Sequence, residues 1–99
     1  MLDFLGLTRG LILTASGKVK DAGDWITVHC VAFSCDTNLT SIRFRNGELV
    51  TDPIVFEIVA DSAVGEEPVW AYIGRRFENG LYVEFNGAGV AHVNLTVEG

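Results

Sequence analysis

The sequence contains few of the residues that mark nucleic-acid-binding or membrane proteins. Seven basic residues stand against thirteen acidic ones, for a net charge of −6, and the basic residues are scattered along the chain. Binding to nucleic acid requires a concentrated positive field that neutralises phosphates, so we expect no nucleic-acid partner. No apolar run reaches the roughly 18 residues of a membrane-spanning helix, and we expect no membrane partner either.

Cysteine is also scarce, and the spacing of the two cysteines argues against a disulfide. Cys30 and Cys35 are separated by five steps of chain, which span about 16 Å when extended, whereas a disulfide requires Cα atoms about 5–6 Å apart. Only a tight turn between the two residues would allow them to pair. The sequence therefore predicts two reduced thiols, with Cys30 buried on the strand face that carries Ile26 and Val28.

Helical periodicity is nearly absent, and short runs of Val, Ile, Thr and aromatic residues alternate with turn residues instead. The runs recur every 8–12 residues or so, which is typical of a sandwich or barrel. The sequence predicts an all-β fold, a single-domain antiparallel sandwich or jelly roll of about seven to eight short strands. Residues 1–10 are predicted to form an N-terminal segment, and residues 11–99 the β-sandwich domain.

Alternation of apolar and polar residues assigns faces to several strands. The inward positions of three strands predict a core that contains Ile42, Phe44, Val83, Phe85, Val93 and Leu95. Asn79-Gly80 and Asn86 to Gly89 have the chemistry of tight turns, and with the flanking strands they predict a meander of hairpins in the last third of the chain.

No combination of residues typical of catalysis or metal binding is evident. His29 and His92 have no neighbouring ligands at metal-binding spacing, and the sequence contains neither a nucleophile elbow nor a glycine-rich loop that leads into a helix. Dispersed carboxylates such as Glu66 and Glu67 fit a solvated loop better than a glycosidase pair. We therefore expect no catalytic, cofactor-binding or metal-binding residues, and a protein that is not an enzyme.

Two groups of apolar side chains are candidates for binding a partner. Trp70 and Tyr72 share one strand face, where they either pack in the core or offer a surface to a sugar or a protein.

Hydrophobic residues make up 48% of the chain and the mean hydropathy is +0.30, which is more apolar surface than a small monomer readily buries. The N-terminal segment is either an extended arm that contacts a neighbouring subunit or the first strand of the sheet, and its candidate contact residues are Leu2, Phe4, Leu5 and Leu7.

The end of the sequence resembles that of small structural proteins of tailed-phage virions. Phe77 to Glu98 contains an aromatic residue, Asn-Gly-Leu-Tyr-Val, a Gly/Ala turn and an alternating final strand, and Leu5 to Gly10 is similar to the N-terminal segment of those proteins. The resemblance covers about a third of the chain. It implies an all-β, often jelly-roll, virion component such as a capsid decoration (cement) protein or a spike or fibre subunit.

The resemblance and the composition together predict a non-enzymatic capsid decoration protein. It would assemble as a homo-oligomer, for which a trimer is one option, and would bind the major capsid protein or another virion protein. Because no positively charged leader precedes the N-terminal segment, we expect synthesis in the host cytoplasm and a final location on the outer surface of the capsid. The first alternative is a tail or spike component with a carbohydrate- or receptor-binding surface. The second alternative is a small hydrolase, which the sequence does not favour because it contains no recognisable catalytic triad.

Overall fold

The computed structural model describes residues 8–35, 39–59, 69–87 and 91–99, and their regular structure is entirely β. Among these residues there is no helix that could cross a membrane. Eight strands follow one another: β1 (Thr8–Leu13), β2 (Gly17–Lys20), β3 (Ile26–Cys35), β4 (Leu39–Arg45), β5 (Ile54–Val59), β6 (Val69–Phe77), β7 (Leu81–Gly87) and β8 (Ala91–Glu98). The predicted all-β class is confirmed, and β1 begins within the last residues of the predicted N-terminal segment.

The strands form two four-stranded antiparallel sheets. Sheet A has the order β1-β8-β3-β6, and sheet B has the order β2-β7-β4-β5. The first strand pairs with the last, the second with the seventh, the third with the sixth and the fourth with the fifth. This is the pairing of a long antiparallel ribbon folded over on itself, which is the strand order of a jelly roll.

The predicted C-terminal meander of hairpins is wrong. β6 and β8 lie in sheet A whereas β7 lies in sheet B, so the turn at Asn79-Gly80 passes from one sheet to the other. Glycine is nevertheless required at position 80, because its φ is +89° and a β-carbon there would lie 2.7 Å from the carbonyl oxygen of Lys20. Turn residues determine where a chain reverses, and they do not determine whether the two flanking strands pair.

The core lies between the inner faces of the two sheets. Strand β8 alternates as predicted, with Val93, Leu95 and Val97 buried and His92, Asn94 and Thr96 exposed. Five of the six predicted core residues are buried, and the sixth, Phe85, is half-buried against the core. The buried hydrophobic residues are Ile26, Val28, Val31, Phe33, Ile42, Phe44, Phe77, Leu81, Val83, Val93, Leu95 and Val97.

A β-bulge in the middle of β3 overturns the prediction that Cys30 is buried. Val28 pairs with Val97 and Cys30 with Thr96, so His29 is an extra residue on β3 relative to β8. The extra residue shifts the alternation by one position. Val31 and Phe33 therefore join Ile26 and Val28 in the core, while Cys30 is free and half-buried. The side chain of Cys35 lies outside the part that the structure describes.

Three loops at one end of the sandwich are joined by hydrogen bonds. The N–H of Gly23 donates to Asn79 Oδ1 at 2.8 Å, and the N–H of Asn79 donates to Asn46 Oδ1 at 3.2 Å. Glu48 accepts a hydrogen bond from the N–H of Ala22 at 3.1 Å. The β2–β3, β4–β5 and β6–β7 connections are thereby held as one unit.

Candidate functional site

The outer face of sheet B is covered by ion pairs between its own strands. Arg45 donates from Nε and Nη2 to Glu84 Oε1 at 3.0 and 2.6 Å, and Arg43 donates from Nε to Glu57 Oε2 at 2.9 Å. The register explains these pairs, because Arg43 lies opposite Glu57 of β5 on one side and Glu84 of β7 on the other. With these charges paired, the outer face of sheet B offers little unpaired charge to a ligand.

Ser41 is the one buried polar residue in the described part of the chain, and it belongs to this network. Its hydroxyl donates to Glu57 Oε2 at 2.6 Å and accepts from Asn86 Nδ2 at 3.2 Å. The hydrogen bond from Ser41, followed by the one from Arg43, lowers the pKa of the Glu57 carboxyl below its ordinary value. A carboxylate with a lowered pKa is a weak base, so Glu57 is poorly suited to activate the Ser41 hydroxyl.

The outer face of sheet A has a different chemistry. In one row of the sheet, Ile12 of β1, Asn94 of β8 and Ala32 of β3 lie side by side. The next row consists of Gly10 of β1, Thr96 of β8, Cys30 of β3 and Tyr72 of β6. Ile12 is 72% exposed and Tyr72 is 75% exposed. These two rows carry no formal charge, and small side chains lie between the two large ones. An uncharged surface with exposed apolar side chains is typical of a contact surface for another molecule.

Tyr72 is held in place by a bulge in its own strand. Val28 pairs with Arg75 and Cys30 with Tyr72, so β6 carries an additional residue at Ile73-Gly74. Gly74 has a φ of +58°, and a β-carbon there would lie 2.9 Å from Cε2 of Tyr72. The phenol ring therefore packs against the glycine backbone while most of its surface stays exposed to solvent.

The other predicted contact residues are less well defined. Trp70 pairs through its backbone with Ala32, but its side chain lies outside the described part, so a joint Trp70–Tyr72 surface stays a prediction. Four more predicted contacts fall in the stretch 1–7, which is also outside the described residues: Leu2, Phe4, Leu5 and Leu7.

A second exposed apolar group was missed by the sequence reasoning. It consists of Leu49 and Val50 in the β4–β5 loop together with Ile54 and Val59 of β5. The signal was the occurrence of Leu49-Val50 between turn-forming residues, since such positions usually carry polar side chains. Two hydrogen bonds close the loop: the Asp52 N–H donates to the Leu49 carbonyl oxygen at 3.0 Å, and Asp52 Oδ2 accepts from the Leu49 N–H at 2.9 Å.

A shallow depression lies beside Trp25. It is lined by Lys20, Asp24, Trp25 and Gly99 and has a volume of about 290 Å³. The guanidinium of Arg76 lies 4.2 Å from the centre of the Trp25 ring and covers one of its faces. A ring already stacked on a cation leaves less aromatic surface for a ligand, so this depression is a weaker candidate than the outer face of sheet A.

In the part of the chain that the structure describes, the histidines and carboxylates do not converge on a common point. His29 Nε2 lies 3.2 Å from Glu98 Oε1, and His92 is exposed on β8. Within residues 8–35, 39–59, 69–87 and 91–99, no three His, Cys, Asp or Glu side chains are placed to hold a metal ion.

Comparison with known proteins adds no family assignment. No family model matches the chain, and no curated protein matches its sequence. The fold and the two exposed apolar surfaces are therefore the features of this chain that bear on its function.

Proposed function

We propose that this protein is a non-enzymatic virion component, a capsid decoration protein that binds and stabilises the shell as a homo-oligomer. The observation that carries the proposal is the contrast between the two outer faces. On the outer face of sheet B, Arg–Glu pairs occupy the middle strands and exposed apolar side chains lie at the β5 edge, whereas sheet A carries Ile12 and Tyr72 on two uncharged rows. The strand order also supports the proposal by analogy, because jelly rolls occur in viral capsids, although lectins and cupins share them.

Sheet A is suited to a large, flat partner such as the major capsid protein. Ile12 and Tyr72 project from the two uncharged rows of its outer face and are 72% and 75% exposed. Contact there removes apolar area from water, at roughly 25 cal/mol per Å², without burying unpaired charge. One such contact is weak, and several copies held in one oligomer would multiply it through avidity.

The proposal is tested by binding to particles that lack the protein. We expect the purified chain to sediment with decoration-free capsids, and the double variant Ile12→Ser, Tyr72→Ser to lose at least about tenfold in affinity, since exposed aromatic anchors dominate such contacts. Glu78→Gln, which changes an exposed charge in the β6–β7 turn, is the matched control and should bind normally. Equal binding by the wild type and the double variant would refute the role of sheet A.

The role of the N-terminal segment is tested separately. If Leu2, Phe4, Leu5 and Leu7 form an arm on a neighbouring subunit, deletion of residues 1–7 should leave the fold intact and weaken attachment to particles. A truncated protein that folds and binds with unchanged affinity would eliminate the arm.

The alternative is a tail or spike component that binds a host carbohydrate through Tyr72. The favouring observation is the exposed phenol supported by Gly74, since aromatic rings with one free side can contact sugars. A glycan array distinguishes the two proposals. Binding of a defined glycan that is lost in Tyr72→Ser would favour the tail or spike role, whereas binding to capsids alone would favour decoration.

A further inference from the structure

The chain contains three Asn-Gly dipeptides, Asn46-Gly47, Asn79-Gly80 and Asn86-Gly87. Asparagine is a chemically labile residue, and a following glycine has no side chain to hinder its backbone nitrogen. That nitrogen can give its proton to solvent and attack the side-chain carbonyl carbon of the asparagine. The new C–N bond closes a succinimide ring and expels the amide nitrogen as ammonia, and water then opens the ring to aspartate or isoaspartate. The three dipeptides are alike in sequence, whereas the structure holds them differently.

In Asn79-Gly80 both reacting groups are held by hydrogen bonds. The Gly80 N–H, which is the nucleophile, donates to the carbonyl oxygen of Asp24 at 2.8 Å. The attacked carbonyl group is held as well, because Asn79 Oδ1 accepts from the Gly23 N–H at 2.8 Å. Gly80 is also buried, with the backbone of Lys20 close to it. The succinimide ring cannot close until these contacts break.

Asn46-Gly47 is held in a similar way. Gly47 is buried, and its N–H donates to the carbonyl oxygen of Arg45 at 3.1 Å. Asn46 Oδ1 accepts from the Asn79 N–H at 3.2 Å. Both dipeptides therefore belong to the hydrogen-bonded loops at one end of the sandwich, where the nucleophile and the attacked carbonyl group are each restrained.

Asn86-Gly87 lies at the end of β7 and presents its nucleophile to solvent. The Phe85 N–H donates to Ser16 Oγ at 2.8 Å, on the side of β7 that faces β2. Because N–H directions alternate along a strand, the Gly87 N–H points to that same side, away from β4. Strand β2 begins at Gly17, which pairs with Val83, and so β2 does not extend as far as Gly87. Gly87 is accordingly exposed.

The side-chain amide of Asn86 is held through its nitrogen, which is the leaving group of the reaction. Nδ2 donates to Ser41 Oγ at 3.2 Å, and the Ser41 hydroxyl donates in turn to Glu57 Oε2 at 2.6 Å. Loss of the amide removes the donor to Ser41, which is buried, and leaves two acceptor oxygens facing each other. It also adds a second carboxylate beside Glu57, and like charges repel.

We propose that Asn86 is a site of spontaneous deamidation in the folded protein, and that its conversion to aspartate or isoaspartate weakens sheet B. Isoaspartate adds a methylene group to the backbone of β7, which moves Gly87 out of register with Leu39 of β4. The inference goes beyond the proposed function and is independent of any partner.

The first experiment follows the full chain during incubation in mildly alkaline buffer. Peptide mapping by mass spectrometry locates the mass increase that accompanies replacement of an amide by a carboxylate. Asn86 should deamidate at least about tenfold faster than Asn46 and Asn79, since those two sites must break hydrogen bonds before they react. In concentrated urea, which is the control, the three asparagines should react at similar rates. Equal rates in the folded protein, or faster reaction at Asn46 or Asn79, would overturn the assignment.

Two variants complete the test. Asn86→Gln keeps the amide but closes its ring slowly, so the mass increase should disappear from the peptide that contains residue 86; its persistence would contradict the assignment. Asn86→Asp should unfold at a lower urea concentration than the wild type. Asn94→Asp is the matched control, because it adds the same charge at an exposed position of β8, and it should unfold at the wild-type midpoint. Equal midpoints for Asn86→Asp and Asn94→Asp would refute the weakening of sheet B.

Discussion

Phe44 shows at the scale of one side chain how the two sheets are held together. It is completely buried, and its ring centre lies 5.9 Å from that of Phe56 in the same sheet and 6.4 Å from that of Phe77 in the opposite sheet. Aromatic pairs at such tilted geometries add to the free energy gained by burial. Phe85 lies on the same face of sheet B and is only half-buried. Two side chains that point to the same face of a sheet are therefore not always buried to the same extent.

The two phenylalanines should respond differently to truncation. Phe44→Ala leaves a cavity between the sheets and should lower the free energy of unfolding by about 3–5 kcal/mol. Phe85→Ala removes less buried area and should cost about 1–2 kcal/mol. Urea denaturation of both variants measures the difference. Equal losses would mean that Phe85 is as deeply buried as Phe44.

Gly80 is a residue whose replacement is restricted by both conformation and space. Its φ is +89°, and a β-carbon would lie 2.7 Å from the carbonyl oxygen of Lys20. Gly80→Ala should therefore destabilise the fold by about 1–3 kcal/mol. Gly17→Ala is the control, since nothing lies within 4 Å of a β-carbon there, and it should be neutral or stabilising by up to about 1 kcal/mol. Thermal melts of both variants test this, and a neutral Gly80→Ala would contradict the stated geometry of the turn.

At the scale of the element, β4 presents two different faces. Ile42 and Phe44 point into the core, while Arg43 and Arg45 form the ion pairs of the outer face. The alternation of the strand was predictable from the sequence, because side chains of successive residues point to opposite faces. The partners of the arginines were not predictable, because they come from β5 and β7, and the sequence does not specify which strands lie next to β4.

The network on sheet B should make stability depend on pH. The hydrogen bond from Ser41 and the pairing with Arg43 lower the pKa of Glu57 from its ordinary value of 4.5. Ionised Glu57 therefore stabilises the folded state above that ordinary value, and the contribution is lost as the pH falls through the lower folded-state pKa. Glu57→Gln should reduce the loss of stability between neutral and acidic pH.

Urea midpoints from about pH 7 to pH 2.5 provide the measurement, since this range spans ordinary carboxyl pKa values. Glu78→Gln is the control, because the Glu78 side chain is 71% exposed, and it should follow the wild-type curve more closely. An unchanged pH profile in Glu57→Gln would show that the ion pair with Arg43 contributes nothing measurable, as is common for exposed pairs.

At the scale of the whole molecule, the strand order determines how the chain must fold. β1 and β8 pair although they lie at opposite ends of the described chain, and β2 pairs with β7. Such distant pairings require large loops to close before any hydrogen bond forms. We expect folding on the millisecond-to-second timescale typical of all-β domains, and stopped-flow fluorescence of Trp25 and Trp70 can measure it. Complete folding within microseconds would be incompatible with this topology.

The sequence by itself determined the fold class, most strand positions and the faces of β4, β7 and β8. Alternation with period two and the chemistry of turn residues are local properties, so they can be read without a partner strand. Only the tertiary structure decided the jelly-roll order, the bulge that moves Cys30 off the core face, and the exposure of Leu49, Val50, Ile54 and Val59. The physical reason is that strands pair through backbone groups that are the same at almost every residue. Which strand lies beside which, and which edge stays open, depends on how the whole core packs.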